Sequence, residues 1–296
     1  MKKKLLFIYN PKSGKAQIKN KLSDILEIFS QAGYEITVFP TGKRGDAAQL
    51  METRSPEYDL VVCCGGDGTL DETVTGMMNS GFKTPMGYIP AGSTNDFAGS
   101  LGLPKSMVKA AGTAVEGELF SCDVGSFNDD VFIYIAAFGI FTDVSYETDQ
   151  DMKNLLGHMA YLLEGMTRIS SVKSYHMKVT YDNQEIEDDF IFGMVTNSVS
   201  VGGFHNITGK NVKLDDGVFE VTLIKTPQNP VELNDILFSL ISRNMNSNCM
   251  YCFRTKQVNF ETEAGVAWTL DGENGGVHTN VTIKNICKGI DIKINS

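Results

Sequence analysis

The chain has 296 residues, of which 42% are hydrophobic and 21% are charged, a composition typical of a folded protein with room for two domains. Its net charge of −10 at pH 7 argues against general nucleic-acid binding, which needs a basic face, and against strong electrostatic docking to an anionic membrane. Because the sequence contains six cysteines and no run of about eighteen apolar residues, we expect neither a disulfide scaffold nor a spanning helix, and we predict a cytoplasmic protein.

Strands and helices alternate along the first 125 residues. The apolar run at residues 5–9 predicts a first strand, and the apolar positions 22, 25, 26 and 29 have the spacing of one helix face. Further strands are predicted at residues 34–39, 60–64 and 86–89, and further helices at 46–52, 70–78 and 108–115. Such alternation requires crossover connections. We therefore predict an α/β domain with a mostly parallel sheet over residues 1–125.

The pattern changes after Asp123. Short runs of approximate alternation are separated by turn residues such as Asp182-Asn183 and Asp271-Gly272, which predicts a mainly antiparallel β domain over residues 126–296. Strands are expected at residues 131–137, 175–181, 186–196, 218–224, 251–260, 266–270, 277–284 and 290–294. Helices are expected at about 151–171 and 231–243. The broad apolar face of the first of these helices is either core or part of a pocket for acyl chains.

The stretch Cys63-Cys64-Gly65-Gly66-Asp67-Gly68-Thr69 joins a predicted strand to a predicted helix. Glycines allow backbone N–H groups to lie against a ligand, and the first turn of a helix supplies further N–H groups that suit phosphate. A carboxylate repels phosphate, so Asp67 is best explained if it reaches a Mg²⁺ ion through water. The alternative is a glycine-rich turn that only connects the two elements.

Three polar loops follow predicted parallel strands, at residues 10–14, 65–69 and 90–97. Ligands of such sheets lie at the carboxyl ends of the strands, so we expect the three loops to converge. Lys12 or Lys15 could neutralise phosphate charge, but the Gly-Lys-Ser/Thr ending of a P-loop is absent. Asp67, Asp96 and Asp123 could gather at the same rim to position Mg²⁺. Alternatively, Asp96 caps the following helix and Asp123 is a plain edge carboxylate.

Five motifs occur in a fixed order along the chain. They are Asn10-Pro11-Lys12-Ser13-Gly14, Gly65-Gly66-Asp67-Gly68-Thr69, Pro90-Ala91-Gly92-Ser93-Thr94-Asn95-Asp96-Phe97, Leu214-Asp215-Asp216-Gly217 and Leu270-Asp271-Gly272-Glu273. Over nearly the whole chain this pattern resembles the soluble bacterial diacylglycerol kinases and YegS-like lipid kinases. The resemblance implies an N-terminal α/β nucleotide-binding domain, a C-terminal mainly antiparallel β-sandwich domain, and ATP-dependent phosphorylation of a diacylglycerol-like lipid in a cleft between them.

The resemblance also implies roles for individual residues. Those expected to border ATP are Asn10, Pro11, Lys12, Ser13, Gly14, Thr41, Gly65, Gly66, Asp67, Gly68, Thr69, Leu70, Asp71, Glu72 and Thr94. The acceptor hydroxyl needs a base, and the candidates are Glu273 and Asp271, of which the resemblance favours Glu273. The alternative is a hairpin turn with a solvated Glu273.

A second Mg²⁺ is implied by the resemblance at the Asp216 turn. Its ligands would be the carboxylate of Asp216 and the backbone carbonyls of Lys213 and Val218, which are the hard oxygen ligands that Mg²⁺ prefers. The alternative is an Asp-Asp-Gly turn with no ion.

Two other functions stay open on the sequence. One is a kinase of a soluble alcohol, such as an NAD-kinase-like enzyme, and the other is a catalytically silent nucleotide-binding regulator. For the lipid kinase we expect transient association with a membrane surface and no nucleic-acid partner. A homodimer through a free edge of the second domain, and the identity of the lipid, are left open.

Overall fold

The computed structural model describes residues 2–14, 16–140, 173–201, 204–205, 212–242 and 247–295. The chain forms two compact units, one of Met1–Val124 with Cys287–Ser296 and one of Gly125–Ile286. The chain from Cys287 onward thus belongs to the first unit. The change of sequence pattern near residue 125 did not predict this. Lys15 and the helix expected at about 151–171, with its acyl-chain alternative, lie outside the described residues.

The first unit is a parallel sheet with helices. Its strands pair in the order β4-β3-β1-β2, all in parallel, and the end of the last strand of the chain pairs with β4 in parallel through Ile292 and Met86. The elements are β1 (Lys3–Tyr9), α1 (Ile18–Gln31), β2 (Tyr34–Pro40), α2 (Asp46–Arg54), a 3-10 turn (Ser55–Glu57), β3 (Leu60–Gly65), α3 (Asp67–Ser80), β4 (Met86–Pro90), α4 (Asp96–Ser100) and α5 (Met107–Glu116).

The core of the first unit follows from the apolar patterns. Strands β3 and β4 are buried along their whole length, as expected of central parallel strands that are covered on both faces. On α1, Ile25 and Phe29 are fully buried, and the ring of Phe29 meets that of Phe7 on β1 edge to face at 5.3 Å. The predicted α/β layer is confirmed.

The second unit is built from antiparallel strands. Strands β13, β12, β9, β7, β14 and β15 pair in that order, and β8 pairs with β9 and β14. The elements from residue 118 onward, of which β5 and β15 extend into the first unit, are β5 (Glu118–Phe127), β6 (Asp130–Phe132), β7 (Ile135–Gly139), β8 (Tyr175–Tyr181), β9 (Gln184–Thr196), β10 (Ser200–Val201), β11 (Phe204–His205), β12 (Phe219–Lys225), α6 (Pro230–Ser242), β13 (Met250–Thr255), β14 (Gln257–Leu270) and β15 (Glu273–Ile294). The mainly antiparallel second domain is confirmed.

Several predicted strand boundaries differ from the structure. The run at 131–137 is divided into β6 and β7. The run at 251–260 is divided into β13 and β14, and β14 also includes the run at 266–270. The runs at 277–284 and 290–294 are joined in β15. The first difference has a clear cause, because the N–H groups of Ile133 and Tyr134 donate to the side chain of Asp271 and so are not available to a neighbouring strand.

Aromatic side chains fill the centre of the second unit. The ring of Trp268, the single tryptophan of the chain, lies 4.8 Å from that of Phe138 and 5.1 Å from that of Phe260.

None of the described helices combines the length and apolarity needed to cross a bilayer.

Candidate active site

Three loops of the first unit contact one another at the carboxyl ends of β1, β3 and β4. The backbone N–H of Asn10 donates to the carbonyl of Cys64 at 2.9 Å, and that of Ala91 donates to the carbonyl of Gly65 at 2.8 Å. The Asn10 side-chain amide lies 3.4 Å from the Thr69 hydroxyl. The structure therefore brings together loops 10–14, 65–69 and 91–95.

The glycines of these loops are required by their close approach. A Cβ on Gly92 would lie 2.6 Å from the Cα of Gly66, and a Cβ on Gly65 would lie 2.5 Å from the side chain of Thr69. Gly14 has a φ of +54°, and its Cβ would lie 2.3 Å from the carbonyl oxygen of Ala91. Larger residues would separate the loops, so the glycines serve the packing of the site as well as access to its backbone.

Helix α3 begins directly after the glycine turn. Its N-cap is Gly66 in an extended conformation, which has no side chain to accept a bond from the first N–H groups. The N-cap residue makes no side-chain hydrogen bond to the helix. A helix N-terminus presents N–H groups and a partial positive charge, so it suits a phosphate group.

Asp67 is the first residue of α3, and its carboxylate is oriented by a neighbouring loop. Its Oδ2 accepts the backbone N–H of Asn95 at 3.1 Å. A carboxylate held beside a helix N-terminus fits the Mg²⁺ ion that accompanies a nucleotide, because oxygen ligands and water-mediated contacts are typical of Mg²⁺. Asp96 follows Asn95, is 3% exposed and lies in the first turn of α4, where no side-chain cap forms among the described residues.

Asp123 is a buried carboxylate of β5. It lies inside the strand, is fully buried, and accepts the backbone N–H of Lys288 at 2.7 Å. Lys288 lies within β15 and has a φ of +55°. The proposed share of Asp123 in positioning Mg²⁺ stays a prediction.

The loop after β2 is tied to the same region. The N–H of Thr41 donates to the carbonyl of Tyr9 at 2.9 Å, which places Thr41 beside the loop that begins at Asn10. Glu72, which we expected to border ATP, accepts the N–H groups of Gly45 at 2.8 Å and Ala47 at 3.4 Å. Its carboxylate therefore caps helix α2 and connects that helix to α3.

Asp271 and Glu273 lie at the same turn of the second unit, but their side chains have different surroundings. Asp271 and Gly272 have φ values of +51° and +84°, and they form the two-residue turn between β14 and β15. The buried Asp271 carboxylate accepts N–H groups of Ile133 at 2.6 Å, Tyr134 at 3.0 Å and Ile135 at 2.9 Å. Burial raises the pKa of Asp271 to about 6, although these three donors act in the opposite direction. Glu273, the first residue of β15, is exposed.

Asp271→Asn is expected to destabilise the second unit by about 2–3 kcal/mol, because the amide NH₂ would face a backbone donor and leave it unsatisfied inside the protein. Urea unfolding followed by Trp268 fluorescence measures this, since Trp268 lies in the core of the same unit. Asp129→Asn is the matched control, because Asp129 is exposed. Equal unfolding midpoints for the two variants would contradict a structural role for Asp271.

The Asp216 carboxylate, which the resemblance assigns to a second Mg²⁺, forms an ion pair in this structure. Asp216 Oδ2 lies 2.5 Å from Nη2 of Arg254, and Glu220 Oε1 lies 3.0 Å from Nε of the same guanidinium. Burial raises the pKa of Glu220 to about 7, and Arg254 opposes that rise. The other oxygen, Oδ1 of Asp216, accepts the backbone N–H of Val218 at 3.4 Å, and the second Mg²⁺ at this turn stays a prediction. Among the described residues, no group of three or more His, Cys, Asp or Glu side chains could hold a metal ion.

Two family models match the chain in the order of its two units. The diacylglycerol kinase catalytic domain matches residues 4–127, and the YegS C-terminal NAD kinase beta sandwich-like domain matches residues 135–287. The two matches together define the class of the protein, which is a diacylglycerol kinase catalytic domain followed by a YegS-type β-sandwich.

Curated relatives agree with this class. The chain is 33% identical to a diacylglycerol kinase of Bacillus subtilis over 93% of this chain and 91% of the relative, and 33% identical to one of Staphylococcus aureus over 93% and 88%. The chain belongs to the diacylglycerol kinase family. A crystal structure from Bacillus anthracis matches with a TM-score of 0.83 and 26% identity over 99% of this chain and 98% of that one.

Proposed function

We propose that this protein is an ATP-dependent kinase that phosphorylates a hydroxyl group of diacylglycerol or a related lipid at a membrane surface. The observation that carries the proposal is the convergence of three loops around the N-terminus of α3, with the Asp67 carboxylate fixed beside it. The curated relatives named diacylglycerol kinase support the lipid acceptor. The product is phosphatidic acid or the corresponding lipid phosphate.

The first unit binds the nucleotide in this proposal. Backbone N–H groups of the glycine turn and the first turn of α3 face the phosphates, and the hydroxyls of Thr41 and Thr94 add further donors. Asp67, with Asp96 and Asp123, would position Mg²⁺, partly through bound waters. When bound, Mg²⁺ neutralises charge on the phosphate oxygens, which is the main requirement of phosphoryl transfer.

The second unit supplies the base. A lipid hydroxyl has a pKa far above 7, so a carboxylate that receives its proton as the new bond forms lowers the barrier. The exposed Glu273 takes this proton, since the oxygens of Asp271 already accept three backbone N–H groups. The acceptor oxygen then bonds to the γ-phosphorus, the bond from that phosphorus to the β,γ-bridging oxygen breaks, and ADP leaves.

A lipid panel in mixed micelles with radiolabelled ATP tests the proposal. We expect phosphate transfer that depends on Mg²⁺ and on a lipid carrying a free hydroxyl, with diacylglycerol among the acceptors. Transfer to a soluble alcohol without detergent would point to the soluble-alcohol kinase instead. Nucleotide binding without turnover on any lipid of the panel would overturn the proposal in favour of a silent regulator.

A further inference from the structure

Asn95 connects two of the three converging loops through its backbone. It precedes α4 with a φ of +53°, in the left-handed region that asparagine tolerates better than most residues. In this conformation its N–H donates to Oδ2 of Asp67 at 3.1 Å. The carboxylate proposed to position Mg²⁺ is therefore oriented by the loop that follows β4.

The side chain of Asn95 closes that loop on itself. Its Oδ1 accepts the N–H of Gly92 at 2.9 Å, and its Nδ2 donates to the carbonyl of Gly92 at 2.8 Å. Both polar ends of the amide are thus used within the loop. Residues 92–95, with Thr94 among them, form one unit whose position depends on Asn95.

Tyr88 joins this loop to the glycine turn. Its side chain is 1% exposed, and its hydroxyl lies 3.2 Å from the carbonyl of Gly65 and 3.3 Å from Oδ1 of Asn95. Burial raises the pKa of Tyr88 well above its ordinary value, and the charge of Asp67 acts in the same direction. The hydroxyl therefore stays protonated and donates a hydrogen shared between the two acceptors.

The hydroxyl of Tyr88 is not needed to satisfy either acceptor. The carbonyl of Gly65 also accepts the N–H of Ala91, and Oδ1 of Asn95 also accepts that of Gly92. Both acceptors keep a hydrogen-bond donor when the hydroxyl is removed. We therefore expect Tyr88→Phe to lower the free energy of unfolding only slightly. What it adds is a direct connection between the loop after β3 and the loop after β4.

We infer that Tyr88 and Asn95 are positioning residues of the nucleotide site, which set the Asp67 carboxylate and the 92–95 loop against the N-terminus of α3. The inference rests on the proposed function, because it assigns the phosphates and Mg²⁺ of a nucleotide to that place. Neither residue needs to contact the nucleotide. They act by fixing two loops whose relative displacement would misalign the groups that do.

The test compares Tyr88→Phe with Tyr175→Phe in the full-length protein. Tyr175 is the matched control, because it is a buried tyrosine of the second unit whose hydroxyl has no hydrogen-bond partner among the described residues. We expect Tyr88→Phe to weaken MgADP binding, measured by titration calorimetry, by about tenfold, in line with the cost of small misalignments in active sites. Both variants should melt within about 3 °C of the unmodified protein.

A double-variant cycle separates positioning from general loosening. Asn95→Gly keeps the left-handed backbone and its N–H to Asp67 but removes the side chain that meets Tyr88. If the two residues act as one unit, Tyr88→Phe should weaken MgADP binding by less than about twofold in the Asn95→Gly background.

Four outcomes decide the matter. MgADP affinity in Tyr88→Phe equal to that in Tyr175→Phe would overturn the inference, and so would fully additive losses in the double variant. An unmodified protein that does not bind MgADP at all would overturn the proposed function itself, and the inference with it. The inference is supported if Tyr88→Phe weakens MgADP binding while Tyr175→Phe does not, and if Tyr88→Phe has almost no further effect on MgADP binding in the Asn95→Gly background.

Discussion

Asp67→Asn is expected to lower kcat for lipid phosphorylation by at least about a thousandfold, because it removes the negative charge proposed to position Mg²⁺. Asparagine keeps a side-chain oxygen that can accept the N–H of Asn95, which now binds Oδ2 of Asp67 at 3.1 Å. The loop should therefore stay in place while the charge is lost. Initial rates at saturating MgATP and diacylglycerol in mixed micelles measure the effect.

The control for Asp67→Asn is Asp24→Asn, the same change on the exposed part of α1 in the same unit. This control should retain the rate of the unmodified protein. Asp67→Ala should lose the carboxylate charge and the acceptor for Asn95 together, so its melting temperature should fall further than that of Asp67→Asn. Near-normal turnover in Asp67→Asn would remove this carboxylate from the mechanism.

Glu273→Gln is expected to lower kcat by about a hundredfold to ten-thousandfold, the usual contribution of a general base, while MgADP affinity stays unchanged. The amide is nearly the same size as the carboxylate but cannot take a proton from the lipid hydroxyl. Single-turnover rates with bound MgATP report the chemical step, and titration calorimetry reports nucleotide binding.

Glu263→Gln is the matched control for Glu273→Gln, since Glu263 is another exposed glutamate of the second unit. An unchanged single-turnover rate in Glu273→Gln would reject Glu273 as the base. Equal losses of the chemical step and of MgADP affinity would instead indicate that the side chain supports binding and not proton transfer.

Local sequence patterns were enough to predict most of the framework of the site. The apolar run that ends at Gly65 and the helix that follows it are visible in residues 60–78, and the structure has β3 at Leu60–Gly65 and α3 at Asp67–Ser80. The placement of the three loops follows from the rule that parallel strands end at one edge of a sheet. These features depend on neighbouring residues, which is why they can be read along the chain.

Individual side-chain roles were less predictable. Glu72 lies three residues after the glycine motif, yet its carboxylate accepts the backbone N–H of Gly45 at the start of α2, which is 27 positions away. Asp216 lies in the turn where the family resemblance implied Mg²⁺, yet it pairs with Arg254, which is 38 positions away. Tyr88 sits in an apolar strand and carried no functional signal. Its hydroxyl gains its proposed role only through Asn95, which has a left-handed backbone and whose Oδ1 lies 3.3 Å from that hydroxyl.

The sequence by itself therefore determined the α/β and β units, the glycine turn and the set of acidic residues, since periodicity and turn chemistry act over a few residues. Only the tertiary structure decided which carboxylate is held by backbone amides and which is exposed. Asp271 accepts N–H groups more than 130 positions away, whereas Glu273, two residues later, is exposed. Hydrogen-bond partners distant in the chain are set by strand pairing and packing, and these do not appear in local spacing.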